Sequence, residues 1–479
     1  MNSRLFKKLI YNRTKIVATL GPASRSKTMI RNLILEGVDV FRLNFSHGSH
    51  SVHLNTIQTI NAINKKHDLN ILTLVDLQGP KIRVEELKKE FVLLEKNKTI
   101  SIVPNAIKGD QDRISITYHT LYKHIKRGEK ILIDDGKIEL SVLDIKKNEI
   151  KAKIKNTGIL TSRKGVNLPN TELDIPSITD KDKEDIKFCI KNNINIIALS
   201  FVREKKDITA LKQYIKKLTD KKIIIIAKIE KPQAVKNIIE IVKETDGIMV
   251  ARGDLGVEVQ PEKVPLIQKK LIKTANKYQK FVITATQMLE SMINNPTPTR
   301  AETTDVFNAV IDGTDAVMLS GETTIGKYPL KAVQMMNRIL KNAENYLLNK
   351  KDHSNMADVK NNREQIADSI FHISKSIKPK IIISFTNSGQ TAQILSKTKP
   401  STVIIAFTPD NFLINRLSFY SGLFPVYLKR LNDTDSMIKA AKDFLFKNNL
   451  VKKNDKIIIS LGIPIKELPH TNSLIIYTI

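Results

Sequence analysis

Arg252-Gly253-Asp254 sets a cation, a backbone N–H free of side-chain bulk and a carboxylate in direct succession. These residues follow an apolar run, Gly247-Ile-Met-Val-Ala251, with the character of a short buried strand. Upstream, Ile223-Ile-Ile-Ile-Ala-Lys228-Ile-Glu230 repeats the pattern, an apolar run closed by a cation and a carboxylate. In parallel α/β proteins ligands bind at the C-terminal ends of the strands. Glu230 and Asp254 are one strand–helix–strand unit apart, so they can end neighbouring strands, which lie about 4.8 Å apart. Two carboxylates with basic residues between them suit a hard divalent cation bridging a phosphorylated substrate. A salt-bridged strand end explains either segment alone, but explains the pair much less well.

Positioning such groups needs a rigid parallel scaffold, and the apolar runs supply one. Strands are expected at Lys15–Leu20, Val38–Phe45, Ile71–Leu77, Ile194–Phe201, Lys222–Lys228, Gly247–Ala251, Phe281–Ala285 and Ala316–Leu319. Helical patterns lie between most of them: Lys27–Glu36, His50–Lys66, Glu204–Leu218, Lys231–Glu244, Val264–Tyr278 and Thr303–Ile311. This alternation is the signature of a (β/α)8 barrel, whose chemistry sits on the C-terminal loops. It is interrupted between Asp76 and Ser200 by short β-rich runs with turn signals such as Asp134-Asp135-Gly136: Phe91–Leu94, Thr99–Val103, Arg113–Ile116, Lys130–Ile133, Lys137–Val142 and Ile150–Ile154. A charged linker from Lys350 to Asn362 then leads to further strands at Lys380–Thr386, Thr402–Thr408, Pro425–Leu428, Lys456–Ser460 and Leu474–Ile479. The expected class is α/β, a TIM barrel with an inserted small β-barrel lid and a C-terminal doubly wound domain. The expected boundaries are barrel 1–80, lid 81–178, barrel again 179–349, and C-terminal effector or interface domain 355–479.

With 479 residues, 41% of them hydrophobic, the chain can bury several cores, and no apolar run approaches membrane-spanning length. The basic N-terminus, Met1 to Arg13, lacks the apolar core of a signal peptide, and a first strand at Lys15 argues against a transit peptide. Cys189 is the sole cysteine, which excludes an internal disulfide and a cysteine-based metal site and fits a reducing cytoplasm. A net charge of +29 could mark a nucleic-acid binder, but the lysines are spread along the chain and aromatics are only 5%. Saturation with Lys, Ile and Asn, with no Trp, fits a bias toward A/T-rich codons instead. Neither nucleic acid nor a membrane is expected as a partner.

The motifs Phe41–Gly48, Asp76–Arg83, Ala227–Glu230, Ala251–Gly256, Ala285–Met292, Pro298–Glu302 and Met318–Thr323 come in an order that resembles the pyruvate kinase family across the whole barrel. The resemblance implies phosphoryl transfer from phosphoenolpyruvate to ADP, giving pyruvate and ATP. That reaction calls for positioning and charge neutralisation rather than a covalent nucleophile. It implies that Lys228 stabilises charge on the phosphoryl group and the enolate. Glu230 and Asp254 become ligands of Mg2+, for which Mn2+ can substitute, and Gly253 N–H meets the substrate carboxylate. Arg42 binds phosphate, and Thr286 assists protonation at the enolate carbon; Thr286 also reads as a helix N-cap. Nucleotide contacts fall on Asn44, Phe45, Ser46, His47, Arg83 and Lys164, the last two on the crossings into a hinged lid. Neither a P-loop nor a Gly-x-Gly-x-x-Gly fingerprint is present.

The implied K+ ligands are Asn44, Ser46, Asp76 and the Leu77 carbonyl. Many relatives that require K+ carry Glu where this chain has Lys81, whose ammonium can supply the same charge. Activity without K+ is therefore expected. His47, His50 and His53 read as solvated helix-start histidines rather than metal ligands. In the C-terminal half, Thr386, Asn387, Ser388, Gly389 and Thr391 link a strand to a helix, where exposed N–H groups suit an anion. The family binds a sugar-phosphate effector there; whether a sugar phosphate or nucleotide binds this chain the sequence leaves open, since the loop from Gly462 to Asn472 lacks a Gly- and Arg-rich grip. The family also suggests a homotetramer. Two other readings are a metal-dependent carbon–carbon lyase acting on pyruvate or oxaloacetate, and a basic RNA-binding protein on an enzyme scaffold.

Overall fold

A computed structural model describes residues 13–349, 361–464 and 471–479. The apolar runs become parallel strands β1 (Lys15–Thr19), β2 (Val40–Asn44), β3 (Leu72–Asp76), β4 (Ile196–Leu199), β5 (Ile224–Ile229), β6 (Gly247–Ala251), β7 (Phe281–Ala285) and β8 (Ala316–Leu319). They close into a barrel in simple cyclic order, β1 pairing with both β2 and β8. Most strands are one or two residues shorter at either end than the apolar runs, because residues such as Phe45 and Leu77 stay buried after leaving the ladder.

Inter-strand helices shield the barrel, with Ile30, Leu33, Ile208, Leu211, Leu271 and Ile272 among their buried faces. The helix expected over Lys231–Glu244 is two, Pro232–Lys236 and Ile238–Glu244. The break falls at Asn237, whose side-chain amide donates to Arg203 O at 3.0 Å, a partner distant in the chain.

Between β3 and β4 the chain builds a six-stranded sheet, an added two-stranded ribbon and a separate apolar core around Ile100, Ile131 and Leu140. Two of its strands, Gly158–Thr161 and Val166–Asn167, are too short and polar to stand out in the sequence. Helix Pro329–Asn349 runs up to the charged linker, of which Lys350 to Lys360 lie outside the described residues.

The C-terminal sheet orders its strands Leu423–Tyr427, Ile404–Thr408, Ile381–Phe385, Lys456–Leu461 and Ser473–Thr478, with the last antiparallel. It docks on the N-terminal end of the barrel. There Phe281 stacks on Phe419 with centroids 4.5 Å apart, and Lys397 forms a buried ion pair with Asp315, the residue before β8. The opposite, C-terminal end of the barrel is left to the inserted β module.

Candidate active site

The ends of β2 to β5 bring Arg42, Asp76, Lys228 and Glu230 into one buried cluster. Arg42 donates from Nε to Asp76 Oδ2 at 2.7 Å and from Nη1 to Thr19 Oγ1 at 3.1 Å. Lys228 Nζ lies 3.1 Å from Asp76 Oδ1 and 2.8 Å from Glu230 Oε1, and donates a hydrogen bond to Ser200 Oγ at 2.7 Å. Burial works against the charge on Lys228, but Asp76 and Glu230 outweigh it and raise its pKa, so the ammonium is protonated. Burial likewise opposes ionisation of Asp76, yet Lys228 and Arg42 hold its carboxyl below the ordinary range.

Glu230 is different. Burial pushes its pKa up, Lys228 opposes this, and the nearby charge of Asp254 adds to the rise. The two ends of the Lys228–Glu230 pair thus pull apart. Lys228 is held protonated by two carboxylates, whereas Glu230 has one ammonium, shared with Asp76. Glu230 Oε2 accepts from Phe201 N–H at 2.8 Å, and the buried Oε1 has the Lys228 ammonium as its partner. Two acidic groups this close, Glu230 and Asp254, fit a divalent cation. Among the described residues no cluster of three His, Cys, Asp or Glu side chains could hold a metal by itself. Mg2+ commonly takes one or two carboxylates and completes its shell with substrate oxygens and water.

β6 and β7 supply the facing wall. Asp254 lies in the first turn of the short helix Arg252–Glu258. Gly253 N–H donates to Thr286 Oγ1 at 2.7 Å, so a substrate carboxylate reaching that N–H would displace the hydroxyl. Thr286 is not the N-cap of a helix in its own segment: it and Gln287 hold left-handed backbone, φ 67° and 52°, a strain found where side chains are aimed for function. Arg252 points away from the cluster. Its guanidinium meets both oxygens of Asp305, at 2.8 and 2.6 Å, and donates to Thr286 O at 2.7 Å, clamping that turn.

Other expected residues are committed elsewhere. Phe45 is buried against the His53 ring, while its N–H donates to Asp76 O and its carbonyl accepts from Lys181. Asn44 Oδ1 accepts from Ser46 N–H at 3.1 Å. His47 has a pKa lowered by burial and then by Arg83, Lys81 and Arg42, so three cations face its position. His50 is exposed at the start of its helix as expected, though it bonds Asp185 at 2.6 Å, whereas His53 is buried and bonds His47 O at 2.9 Å. Arg83 donates to Arg163 O and Lys164 pairs with Asp134, both within the β module. Lys81 packs its Cε against Gly165, and among the described residues no hydrogen bond or ion pair joins it to Asn44, Ser46 or Asp76.

The sequence reading passed over Ser200, a buried serine just past β4. Its signal is topological: β4 pairs with β3 and β5, whose ends carry Asp76 and Lys228. At the far end of the molecule Thr386, Asn387, Ser388 and Thr391 line a cleft with Arg363, Lys429 and Arg430. Thr386 Oγ1 accepts from the N–H of Gly389, whose φ is 81°. Ile465 to His470 of the adjoining loop lie outside the described residues.

A barrel carrying buried Lys, Arg and paired carboxylates beneath a β module is the apparatus of a phosphotransferase. Residues 11–333 match the pyruvate kinase barrel domain and residues 364–477 the pyruvate kinase alpha/beta domain. Pyruvate kinases of Staphylococcus aureus strains USA300 and bovine RF122 / ET3-1 are each 43% identical over 472 residues, 98% of this chain and 80% of theirs. The crystal structure of a pyruvate kinase from Cryptosporidium parvum superposes with a TM-score of 0.90 at 35% identity, covering 100% of this chain and 97% of that one. This chain belongs to the pyruvate kinase family. The family's reaction moves the phosphoryl group of phosphoenolpyruvate to ADP, the step that closes glycolysis with pyruvate and ATP. Among the described residues no helix is long and apolar enough to cross a membrane.

Proposed function

We propose that phosphoryl transfer in this chain runs on Arg42, Lys228, Glu230, Asp254, Gly253 and Thr286, with Asp76 as their common counter-charge. The observation that carries this is a protonated Lys228 poised between Asp76 and Glu230, with Asp254 near by. Arg42, held to Asp76, turns a planar fork toward incoming phosphate. Lys228 faces the charge that builds on the moving phosphoryl group and the enolate oxygen. Glu230 and Asp254 would hold Mg2+, which when bound supplies a Lewis-acid centre shared with substrate oxygens. Thr286 Oγ1, released from Gly253 N–H by a substrate carboxylate, is left to hold a water for protonation at carbon. Asn44 to His47, Arg83 and Lys164 take the nucleotide, the last two after release from their partners in the β module.

The same reading divides the chain at 1–80, 81–178, 179–349 and 355–479, and makes the cationic C-terminal cleft an effector site in a cytoplasmic homotetramer. Asn44, Ser46, Asp76 and the Leu77 carbonyl form the monovalent cation site, with Lys81 standing in for K+. Its charge is felt at His47, and its Cε rests on Gly165 at the hinge, where lid closure can carry it inward. A coupled assay with phosphoenolpyruvate, ADP and Mg2+ tests this. Full turnover is expected in Na+ or tetramethylammonium buffer, and Lys81→Glu should create a K+ requirement. A wild-type enzyme nearly inactive without K+ returns Lys81 to a lid lysine.

A further inference from the structure

Ser200 touches two members of the charge cluster, Lys228 and Asp76, and ties them to the backbone. Its Oγ lies 2.7 Å from Lys228 Nζ, 2.7 Å from Leu77 O and 3.2 Å from Asp76 Oδ1. It is buried, with 2% of its surface exposed, so these contacts are not shared with bulk water. The donor inventory fixes the direction of the chain. An ammonium can only donate, so Ser200 Oγ accepts from Lys228, and its one proton goes to Leu77 O or to Asp76.

The backbone holds the hydroxyl there at a cost. Phe201 adopts left-handed backbone, φ 53°, uncommon for a bulky residue, and its N–H donates to Glu230 Oε2. Across the hinge, Gly79 (φ 67°) packs so closely that an added Cβ would lie 2.9 Å from Phe201 Cδ2 and 3.0 Å from Ser200 Cβ. A strained elbow fitted against a glycine thus sets one hydroxyl beneath one ammonium.

We propose that Ser200 is a positioning residue that holds the Lys228 ammonium in register for the reaction and links it to the Leu77 carbonyl. The two carboxylates beside Lys228 hold it by charge, which has little direction, and Glu230 is the group expected to turn to a metal. Ser200 is a neutral hydrogen-bond acceptor with fixed geometry, and no reaction partner competes for it. When Glu230 and the substrate rearrange, the serine keeps Nζ from following either.

The proposal rests on Lys228 acting in the reaction. The test is steady-state kinetics on full-length Ser200→Ala, Ser200→Cys and Ser200→Thr, with Lys228→Met as reference. Ala and Cys, which remove a good acceptor, should lower kcat about 10–100-fold with KM for phosphoenolpyruvate little changed, whereas Thr, which keeps the hydroxyl, should restore most of the loss. In a Lys228→Met background, Ser200→Ala should add no further loss. Cys is nearly isosteric, so it reports even if Ala fails to fold. The proposal is overturned if Ala or Cys keeps wild-type kcat, if Thr fails to rescue, or if the double variant loses activity additively. An active Lys228→Met would overturn the Lys228 role as well; an inactive one beside active Ser200 variants overturns the serine alone.

Discussion

Lys228 and Glu230 show how burial decides chemistry. Both are nearly removed from water, yet the lysine gains two carboxylates while Glu230 shares one ammonium with Asp76. The imbalance leaves Glu230 disposed toward a further cation, and Asp254 sharpens it. Glu230→Gln and Asp254→Asn each delete a hard anionic ligand, so each should move Mg2+ activation to higher concentration. Saturation of both variants at the wild-type Mg2+ concentration would make the carboxylates structural. Lys228, Glu230 and Asp254 were legible because they close apolar runs, while Arg42 and Asp76 were named only through the family resemblance. Ser200 was not, since a lone serine after a strand has no spacing that separates it from any other. Arg252 misled for a related reason: charge beside a carboxylate looks like site chemistry, but its partners Asp305 and the Thr286 carbonyl come from distant parts of the chain.

At the scale of elements the strands were the most readable feature, because parallel barrel strands are buried on both faces and read as continuous apolar runs. All eight lie inside the expected runs or within a residue of them. What periodicity does not carry is the path between elements. The elbow at Ser200–Phe201, the left-handed pair Thr286–Gln287 and the break at Asn237 are set by partners brought in by the fold. Gly79 belongs to this class, with a positive φ and no room for a Cβ against Ser200 and Phe201. Gly79→Ala should cost at least about 1–2 kcal/mol from the left-handed backbone alone, lowering Tm. Since relief of the contact must move the elbow, turnover should fall with it. A variant that loses stability but keeps full turnover would show that the elbow tolerates displacement.

Across the whole molecule the active end of the barrel and the C-terminal cleft lie at opposite ends, yet they share strands. Helix Gln390–Lys397 begins at the cleft loop and ends at Lys397, which pairs with Asp315 just before β8. Arg416 donates to Ser388 O in that loop and lies 3.8 Å from Asp246, just before β6. The sequence showed a second α/β unit but not these bridges, because their halves lie far apart in the chain. The net charge of +29 is likewise a property of the whole surface, drawing anionic metabolites without choosing among them. Choice rests with the buried cluster, and Lys228 carries the charge that must match the transition state better than the bound substrate. The most direct test measures Lys228→Met twice, as turnover of phosphoenolpyruvate with ADP and as phosphoenolpyruvate binding by titration calorimetry with Mg2+ present. Turnover should fall by about three orders of magnitude or more while binding changes little. A variant that keeps a tenth or more of wild-type turnover, or that loses turnover only because it no longer binds, would contradict the transition-state role of Lys228.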